Sequence, residues 1–239
     1  MDRPRVVSRD EWLIERQAHL ANEKRLTRLH DQLTAERRRL PWVKVEKSYV
    51  FEGPDGDESL DRLFAGRSQL IVNHFMLGPG WPQGCIGCSF GADNIEGGLV
   101  HLAQKDVSYV AVSRAPLSEI QAFQKRMGWS FKWVSSNKND FNFDFHVSFT
   151  PEQLATGRVY YNFEEREINA SELPGFSVFV KSPDGEIFHT YSAYGRGGEG
   201  ILATYTLLDM TPQGRVETGP NRDLSDWVKH HDRYPTARS

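Results

Sequence analysis

Cysteine is scarce in this sequence: its 239 residues include only Cys85 and Cys88. A fold held together by a disulfide framework would carry more cysteines, spread along the chain, so that class of protein is excluded. The two cysteines are separated by two residues, and this spacing is typical of a reactive dithiol or of half a metal site. Any cysteine chemistry in this protein therefore depends on one short segment.

Long apolar runs and a strong net charge are also missing. No stretch approaches the roughly 18 apolar residues of a membrane-spanning helix, and no apolar segment of a secretory signal follows the basic start of the chain. The formal net charge is -3, which gives no general attraction to nucleic acid or to anionic membranes. We therefore expect a cytoplasmic protein that binds neither nucleic acid nor membranes.

Residues 8–40 of the N-terminal segment predict one long amphipathic helix. Ser8 and Glu11 have the spacing of a capping box, and Leu29 and Leu33 belong to an apolar stripe at helical spacing. Acidic residues interrupt the basic ones, which argues against a nucleic-acid-binding arm. We expect this helix to pack on the rest of the chain or on a second copy in a homodimer.

The middle of the chain alternates between strand and helix patterns. Residues 70–77 and 107–112 are short apolar runs typical of buried strands. Residues 88–105 and 116–127 predict helices, the first with a weak point at Gly97-Gly98. Strand, helix, strand and helix in this order indicate an α/β domain with a parallel sheet.

Aromatic side chains alternate along the next segment, from Trp129 to Trp133 and from Phe141 to Phe149. A period of two predicts paired strands, so we expect an aromatic β-hairpin inserted in the domain. Basic residues are not interleaved with the rings, which disfavours a platform for stacking nucleic-acid bases. A second hairpin is predicted around the turn at residues 182–185.

The cysteine pair falls between a predicted strand and a predicted helix. The free N–H groups and the partial positive charge of a helix N-terminus stabilise a thiolate. Cys85 is therefore the candidate nucleophile, and Cys88, one turn further on, is the candidate resolving thiol. Such a pair acts on a disulfide or thiol substrate, and we expect it to use no cofactor and no metal.

Three other interpretations of the pair remain open. A zinc site would need further ligands, from His189 or from His230 with His231. The thiols could instead be buried and inert, or a single cysteine could act as a peroxidase. His74, on the strand that leads into the cysteine loop, is either a proton acceptor or a core histidine.

Motifs along the whole chain resemble one bacterial family. They are the segment Leu60 to Phe64, the strand end at His74 to Met76, the cysteine pair, His189 to Ser192, Arg196-Gly197 and Leu208 to Arg215. Together they are similar to the thioredoxin-like family known as domain of unknown function eight-nine-nine. The resemblance implies a thioredoxin-like three-layer α/β sandwich with a long N-terminal helix. It also implies dithiol–disulfide oxidoreductase activity, a label that itself derives from the fold and the motif.

We expect the chain to divide into three parts. These are an N-terminal helical extension at 1–41, a thioredoxin-like domain at 42–215 and a C-terminal tail at 216–239. We also predict four candidate substrate-binding residues, which are Trp81, Pro174, Tyr191 and Arg196.

Each of these four candidates has its own reason. Thioredoxins place a tryptophan next to the nucleophile, whereas here that neighbour is Gly84 and Trp81 lies four residues before Cys85. Pro174 is the candidate for the hallmark thioredoxin proline. If its peptide bond were cis, it would face the cysteines and bind a substrate strand; otherwise it is an ordinary loop proline. Tyr191 and Arg196 are expected to border the cysteine loop.

The segment after Leu60 also resembles peroxiredoxins, which need a Thr or Ser three residues before the reactive cysteine. That position is Pro82 here, so a peroxiredoxin-like peroxidase is the weaker enzymatic alternative. Arg114 or Arg196 would then bind an anion or polarise a peroxide. Our prediction is a thiol–disulfide oxidoreductase, and the main alternative is a non-enzymatic redox sensor or binding module.

Overall fold

The computed structural model describes residues 4–235. Residues 1–3 of the expected N-terminal extension and residues 236–239 of the expected tail therefore lie outside the described residues. The chain divides into two compact units after Pro41. The described helices are α1 (Arg9–Arg37), α2 (Leu60–Leu63), α3 (Ile86–Ile95), α4 (Leu99–Ala103), α5 (Leu117–Met127), α6 (Phe141–Asp144), α7 (Pro151–Ala155) and α8 (Ala203–Asp209).

The strands all belong to the second unit. They are β1 (Val43–Lys44), β2 (Val50–Gly53), β3 (Gly56–Ser59), β4 (Gln69–His74), β5 (Val107–Ser113), β6 (Lys132–Ser135), β7 (Val159–Tyr161), β8 (Glu164–Arg166), β9 (Gly175–Lys181) and β10 (Ile187–Tyr194). Short 3-10 helices occur at Glu96–Gly98, Gly195–Ile201, Leu224–Asp226 and His231–Arg233.

The first unit contains the long helix α1. The Ser8 hydroxyl accepts a hydrogen bond from the Glu11 N–H, and the Glu11 carboxylate accepts one from the Ser8 N–H, so the predicted capping box is confirmed. None of the side chains of α1 is buried. Among residues 4–235, no helix combines the length and the apolar character needed to cross a membrane.

The second unit is built on an eight-stranded sheet with the order β1-β10-β9-β4-β5-β6-β2-β3. The three central strands β4, β5 and β6 are parallel, and β9 lies antiparallel between β4 and β10. Helix α3 follows β4 and α5 follows β5, as the alternating sequence pattern predicts. This arrangement is the expected thioredoxin-like α/β fold.

Each face of the sheet packs against helices, which gives three layers. The cluster on one face joins α3, α4 and α5 to strand residues such as Ile71, Ala111 and Trp133. The cluster on the other face joins α2 and α6 to Leu70 and Val72, the alternate residues of β4. Successive strand residues point to opposite faces, so β4 contributes to both clusters.

The predicted aromatic hairpin is wrong, because its first segment pairs with β5 and β2 and its second segment is not a strand. Residues 132–135 form β6, but residues 141–144 form the short helix α6. Phe141 and Phe145 lie one helical turn apart, and their ring centroids are 4.6 Å apart. The alternation of phenylalanines therefore reflects an i, i+4 pair on one helix face. The inserted hairpin that the structure contains is β7–β8.

A chain of polar side chains crosses three strands beneath these rings. His74 Nε2 lies 2.8 Å from the Ser177 hydroxyl, which lies 2.8 Å from the Ser192 hydroxyl. The Ser192 hydroxyl in turn lies 2.8 Å from His189 Nε2. His74 is almost fully buried, and burial, followed by the nearby His189, lowers the pKa of His74 to about 3.

We predict that His74 makes the protein sensitive to acid. A histidine with a depressed folded-state pKa stabilises the fold above its unfolded pKa of about 6.5, and this stability is lost as the pH falls towards 3. The loss can reach about 1.4 kcal/mol per pH unit. Urea unfolding between pH 7.5 and pH 4 should show the wild type losing stability faster than His74→Gln, which keeps a hydrogen-bonding group for Ser177. Parallel curves would contradict the prediction.

Candidate active site

The cysteine pair lies where β4 ends and α3 begins. Cys85 is the N-cap of α3, and its backbone N–H donates to the Met76 carbonyl over 3.0 Å. The Phe75 N–H donates to the Val112 carbonyl of β5, also over 3.0 Å. Main-chain hydrogen bonds therefore close the base of the loop between Met76 and Cys85 and hold the start of α3 against the sheet.

Gly84 lets the main chain approach two buried rings just before the nucleophile. A Cβ atom at this position would lie 2.6 Å from the ring of Phe75 and 2.7 Å from the ring of Phe123. The Gly84 carbonyl accepts a hydrogen bond from His230 Nε2, at 2.8 Å. His230 is buried and meets Phe123 edge to face. A larger residue would not fit here, so the departure from a tryptophan neighbour has a steric reason.

The pKa of Cys85 is lowered from the ordinary value of a thiol. The causes are the Cys88 thiol and the backbone N–H groups of Cys88 and Gly87. The Cys88 thiol makes the largest contribution, and together these donors lower the pKa of Cys85 although burial opposes them. The amides belong to the first turn of α3, as expected for a thiolate at a helix N-terminus.

Cys88 has the opposite character. Its hydrogen bond to Cys85 and its burial raise the pKa of Cys88 well above the usual value of a thiol. The Met76 N–H donates to Cys88 Sγ at 3.5 Å and acts in the other direction. Both cysteines are free and half-buried. The two thiols thus differ in acidity, with the pKa of Cys85 lowered and that of Cys88 raised.

The C-terminal tail covers the turn between the cysteines. A methyl carbon of Leu224 lies 3.2 Å from the position that a Cβ on Gly87 would occupy. Leu224 and Ile86 pack against an apolar cluster that includes Phe90 and Val228. The residues that separate the two cysteines are therefore in contact with a segment that follows them by more than a hundred positions.

Two of the predicted substrate-binding residues lie near the end of β4. Trp81 is half-buried and packs against the same apolar cluster as Cys88. Pro174 directly precedes Gly175, which pairs with His74 in the sheet. No peptide bond within residues 4–235 is cis, so the cis alternative for Pro174 is wrong. Its carbonyl accepts a hydrogen bond from the Tyr161 hydroxyl at 2.7 Å.

Tyr191 lies further from the cysteine loop along the sheet. It pairs with Val178 of β9, and Val178 pairs with Ile71 of β4, three residues before β4 ends. The tyrosine level with the end of β4 is instead Tyr194, through Gly175.

Arg196 belongs to the 3-10 helix that follows β10. Its guanidinium is 88% exposed and pairs with Glu199 at 2.8 Å. The roles of Tyr191 and Arg196 in substrate binding stay predictions.

Arg114 and His74 have other partners than the cysteines. Arg114 pairs with the buried Glu172 at 2.7 Å and lies over the ring of Phe143. The Glu172 carboxylate neutralises the Arg114 guanidinium, whose positive charge would be needed to bind an anion. The His74 ring stacks on Phe141 and Phe145, on the face of the sheet opposite to α3, which fits the core-histidine alternative.

The histidines considered as zinc ligands contact other groups. His189 lies 2.8 Å from the Ser192 hydroxyl, His230 donates to the Gly84 carbonyl, and His231 Nδ1 lies 2.8 Å from Asp93. Between residues 4 and 235, no three His, Cys, Asp or Glu side chains converge in a way that could hold a metal ion.

The sequence assigned no role to two residues near the site, Leu224 and Tyr161, and considered a third, His230, only as a zinc ligand. Leu224 covers the turn, His230 holds Gly84, and Tyr161 joins Pro174 to Gly195, whose N–H donates to the Tyr161 hydroxyl at 2.9 Å. Each contact joins segments far apart in the chain, and no local pattern in the sequence indicates such pairs.

Comparison with known protein families identifies the family of the chain. The family described as "Bacterial protein of unknown function (DUF899)" matches residues 1–234. The chain belongs to this family, so the resemblance seen in the motifs is confirmed. The comparison with curated proteins finds no match.

Three solved structures that resemble the chain are the following. Peroxidoxin BcpB from Mycobacterium tuberculosis is 13% identical, with a TM-score of 0.45, over 69% of this chain and 95% of that one. A peroxiredoxin Q of Xanthomonas campestris is 16% identical, with a TM-score of 0.42, over 65% and 87%. BsSco, of a family of cytochrome c oxidase assembly proteins, is 15% identical, with a TM-score of 0.40, over 69% and 92%. At these identities and TM-scores the likeness does not extend to activity.

We predict that Gly84→Ala lowers the free energy of unfolding by about 1–3 kcal/mol, because the new Cβ overlaps two buried rings. Gly97→Ala is the matched control, since a Cβ there meets nothing within 4 Å. Chemical unfolding of both variants measures the difference. Equal stability of the two variants would contradict close packing at Gly84.

We also predict that the Cys88 thiol controls the acidity of Cys85. Cys88→Ala removes the strongest donor to the Cys85 sulfur, so the pKa of Cys85 should rise towards the ordinary value of about 8.5. Cys88→Ser keeps a hydroxyl donor and should leave the pKa of Cys85 lower than in Cys88→Ala. Each variant has a single cysteine, so the pH dependence of iodoacetamide alkylation reports Cys85 alone. The same midpoint in both variants would contradict this role.

Proposed function

We propose that the protein is a thiol–disulfide oxidoreductase in which Cys85 is the nucleophile and Cys88 the resolving thiol. The observation that carries the proposal is the position of Cys85 at the N-cap of α3, with Cys88 one turn further on, an arrangement in which the pKa of Cys85 is lowered. A lowered pKa increases the fraction of reactive thiolate near neutral pH. An inert buried pair would have its thiol pKa values raised by burial, which for Cys85 is outweighed by the donors.

The reaction begins when the Cys85 thiolate attacks one sulfur of a substrate disulfide. A bond forms between Cys85 and that sulfur, the substrate S–S bond breaks, and the leaving sulfur departs as a thiolate that takes a proton from solvent. Cys88 then loses its proton and attacks the Cys85 sulfur, which releases the second substrate thiol. The substrate gains two electrons and two protons, and the protein ends as a Cys85–Cys88 disulfide.

The first step prepares Cys88 for the second. Before the attack, the hydrogen bond to the Cys85 sulfur and burial keep the pKa of Cys88 high. Once Cys85 is in a mixed disulfide it carries no charge, so the pKa of Cys88 falls. The Met76 N–H, which already donates to Cys88 Sγ, then stabilises the thiolate that forms there.

Two single-cysteine variants test these roles. We expect Cys85→Ser to be unreactive towards a disulfide substrate, because Cys88 is the less acidic thiol. We expect Cys88→Ser to release one thiol and to stop as a mixed disulfide on Cys85, which intact-mass spectrometry detects. Retained turnover in both variants would contradict the proposal.

The reduction potential of the pair provides an independent measurement in the wild-type chain. Equilibration in dithiothreitol or glutathione buffers should give a reversible two-electron transition between about -120 and -300 mV. The chain has two cysteines in all, so every thiol that is counted belongs to the pair. A pair that never forms a disulfide in these buffers would overturn the proposal, whereas a reversible disulfide without turnover would favour a redox sensor.

A further inference from the structure

Residues 171–174, just before β9, lie beside the end of β4, because the next residue, Gly175, pairs with His74. We call the main chain of these four residues the edge. An extended polypeptide substrate binds to such an edge by pairing with free backbone N–H and C=O groups. Here the Phe149 N–H donates to the Ser171 carbonyl over 3.0 Å, and the Leu173 N–H donates to the Val147 carbonyl over 2.8 Å. The Pro174 carbonyl is paired with Tyr161, and proline has no N–H. The protein therefore occupies this edge with its own residues 147–149.

This internal pairing is buried and anchored by charge. Val147, Phe149 and Glu172 are almost completely buried. Glu172 accepts hydrogen bonds from Arg114 at 2.8 Å and from the Ser148 hydroxyl at 2.5 Å. Displacing residues 147–149 would leave a buried carboxylate without one of its donors, which is costly. An incoming strand would have to break these buried interactions before it could displace residues 147–149.

The C-terminal tail blocks a second direction of approach. Leu224 covers Gly87 between the cysteines, and His230 is buried against Gly84. Asp232 fastens the same tail to α5 through two hydrogen bonds of 2.9 Å to Arg126. This segment therefore restricts the approach of a folded protein surface to the turn at residues 85–88.

The cysteines themselves are only half-buried, so a small molecule can still reach them. We infer that the dithiol acts on low-molecular-weight disulfides and not on disulfides within polypeptides. This inference rests on the proposed function, since it concerns the substrate class of the same two cysteines. The chemistry is the exchange already described: the small disulfide gains two electrons and two protons and leaves as two thiols.

Single-turnover reduction of two probes by the reduced wild-type protein tests the inference. The probes are hydroxyethyl disulfide and insulin, and dithiothreitol supplies the ratio of their rates without any steric restriction. We expect the protein to reduce hydroxyethyl disulfide. The ratio of its rate with insulin to its rate with hydroxyethyl disulfide should be lower than the same ratio for dithiothreitol by about tenfold or more, because access limits exchange. The same ratio as dithiothreitol would overturn the inference and leave the proposed function intact. Failure to reduce either probe would overturn both.

A variant identifies the cover. Leu224→Ala removes the side chain over Gly87 and should raise the rate with insulin relative to hydroxyethyl disulfide. Leu207→Ala, at an exposed position, is the matched control and should leave this ratio as in the wild type. An unchanged ratio in Leu224→Ala would contradict the role of the tail.

Discussion

The site depends on the attachment of the start of α3 to the end of β4. The hydrogen bond from Cys85 to Met76 and the close packing of Gly84 against Phe75 and Phe123 fix where the helix begins. Because Cys85 is the N-cap, it lies at the positive end of α3, and the first turn of the helix places Cys88 next to it. The acidity of one thiol and the proton on the other are thus consequences of a main-chain geometry, and no charged side chain is needed to explain them.

Strand β4 separates this chemistry from a second polar network. Asn73 points to the face that carries α3, where its amide donates to the buried Tyr109 hydroxyl at 2.8 Å. His74, the next residue, points to the other face and joins Ser177 and the histidine of β10. His74 lies at the end of the strand that leads into the cysteine loop. Because side chains alternate along a strand, its ring nevertheless lies on the face of the sheet opposite to α3.

Local and periodic features of the fold were predictable from the sequence. The capping box of α1, the parallel strands and the interruption at Gly97-Gly98 follow from patterns within a few residues. The position of the cysteines at a helix N-terminus follows in the same way. The aromatic run was misread because alternate residues suit a strand, whereas Phe141 and Phe145 also suit one face of a helix. The self-paired edge and the cover at Leu224 were not predictable, since each joins distant segments.

The covered dithiol has a consequence for the order of events during synthesis. Residues 224–232 are made after the cysteines, and at bacterial elongation speeds the delay is on the order of 10 s. Throughout that interval the turn at residues 85–88 has no tail above it. The nascent chain therefore carries an uncovered cysteine pair, open to any oxidant or partner thiol nearby, and the finished site exists only after the last segment has docked.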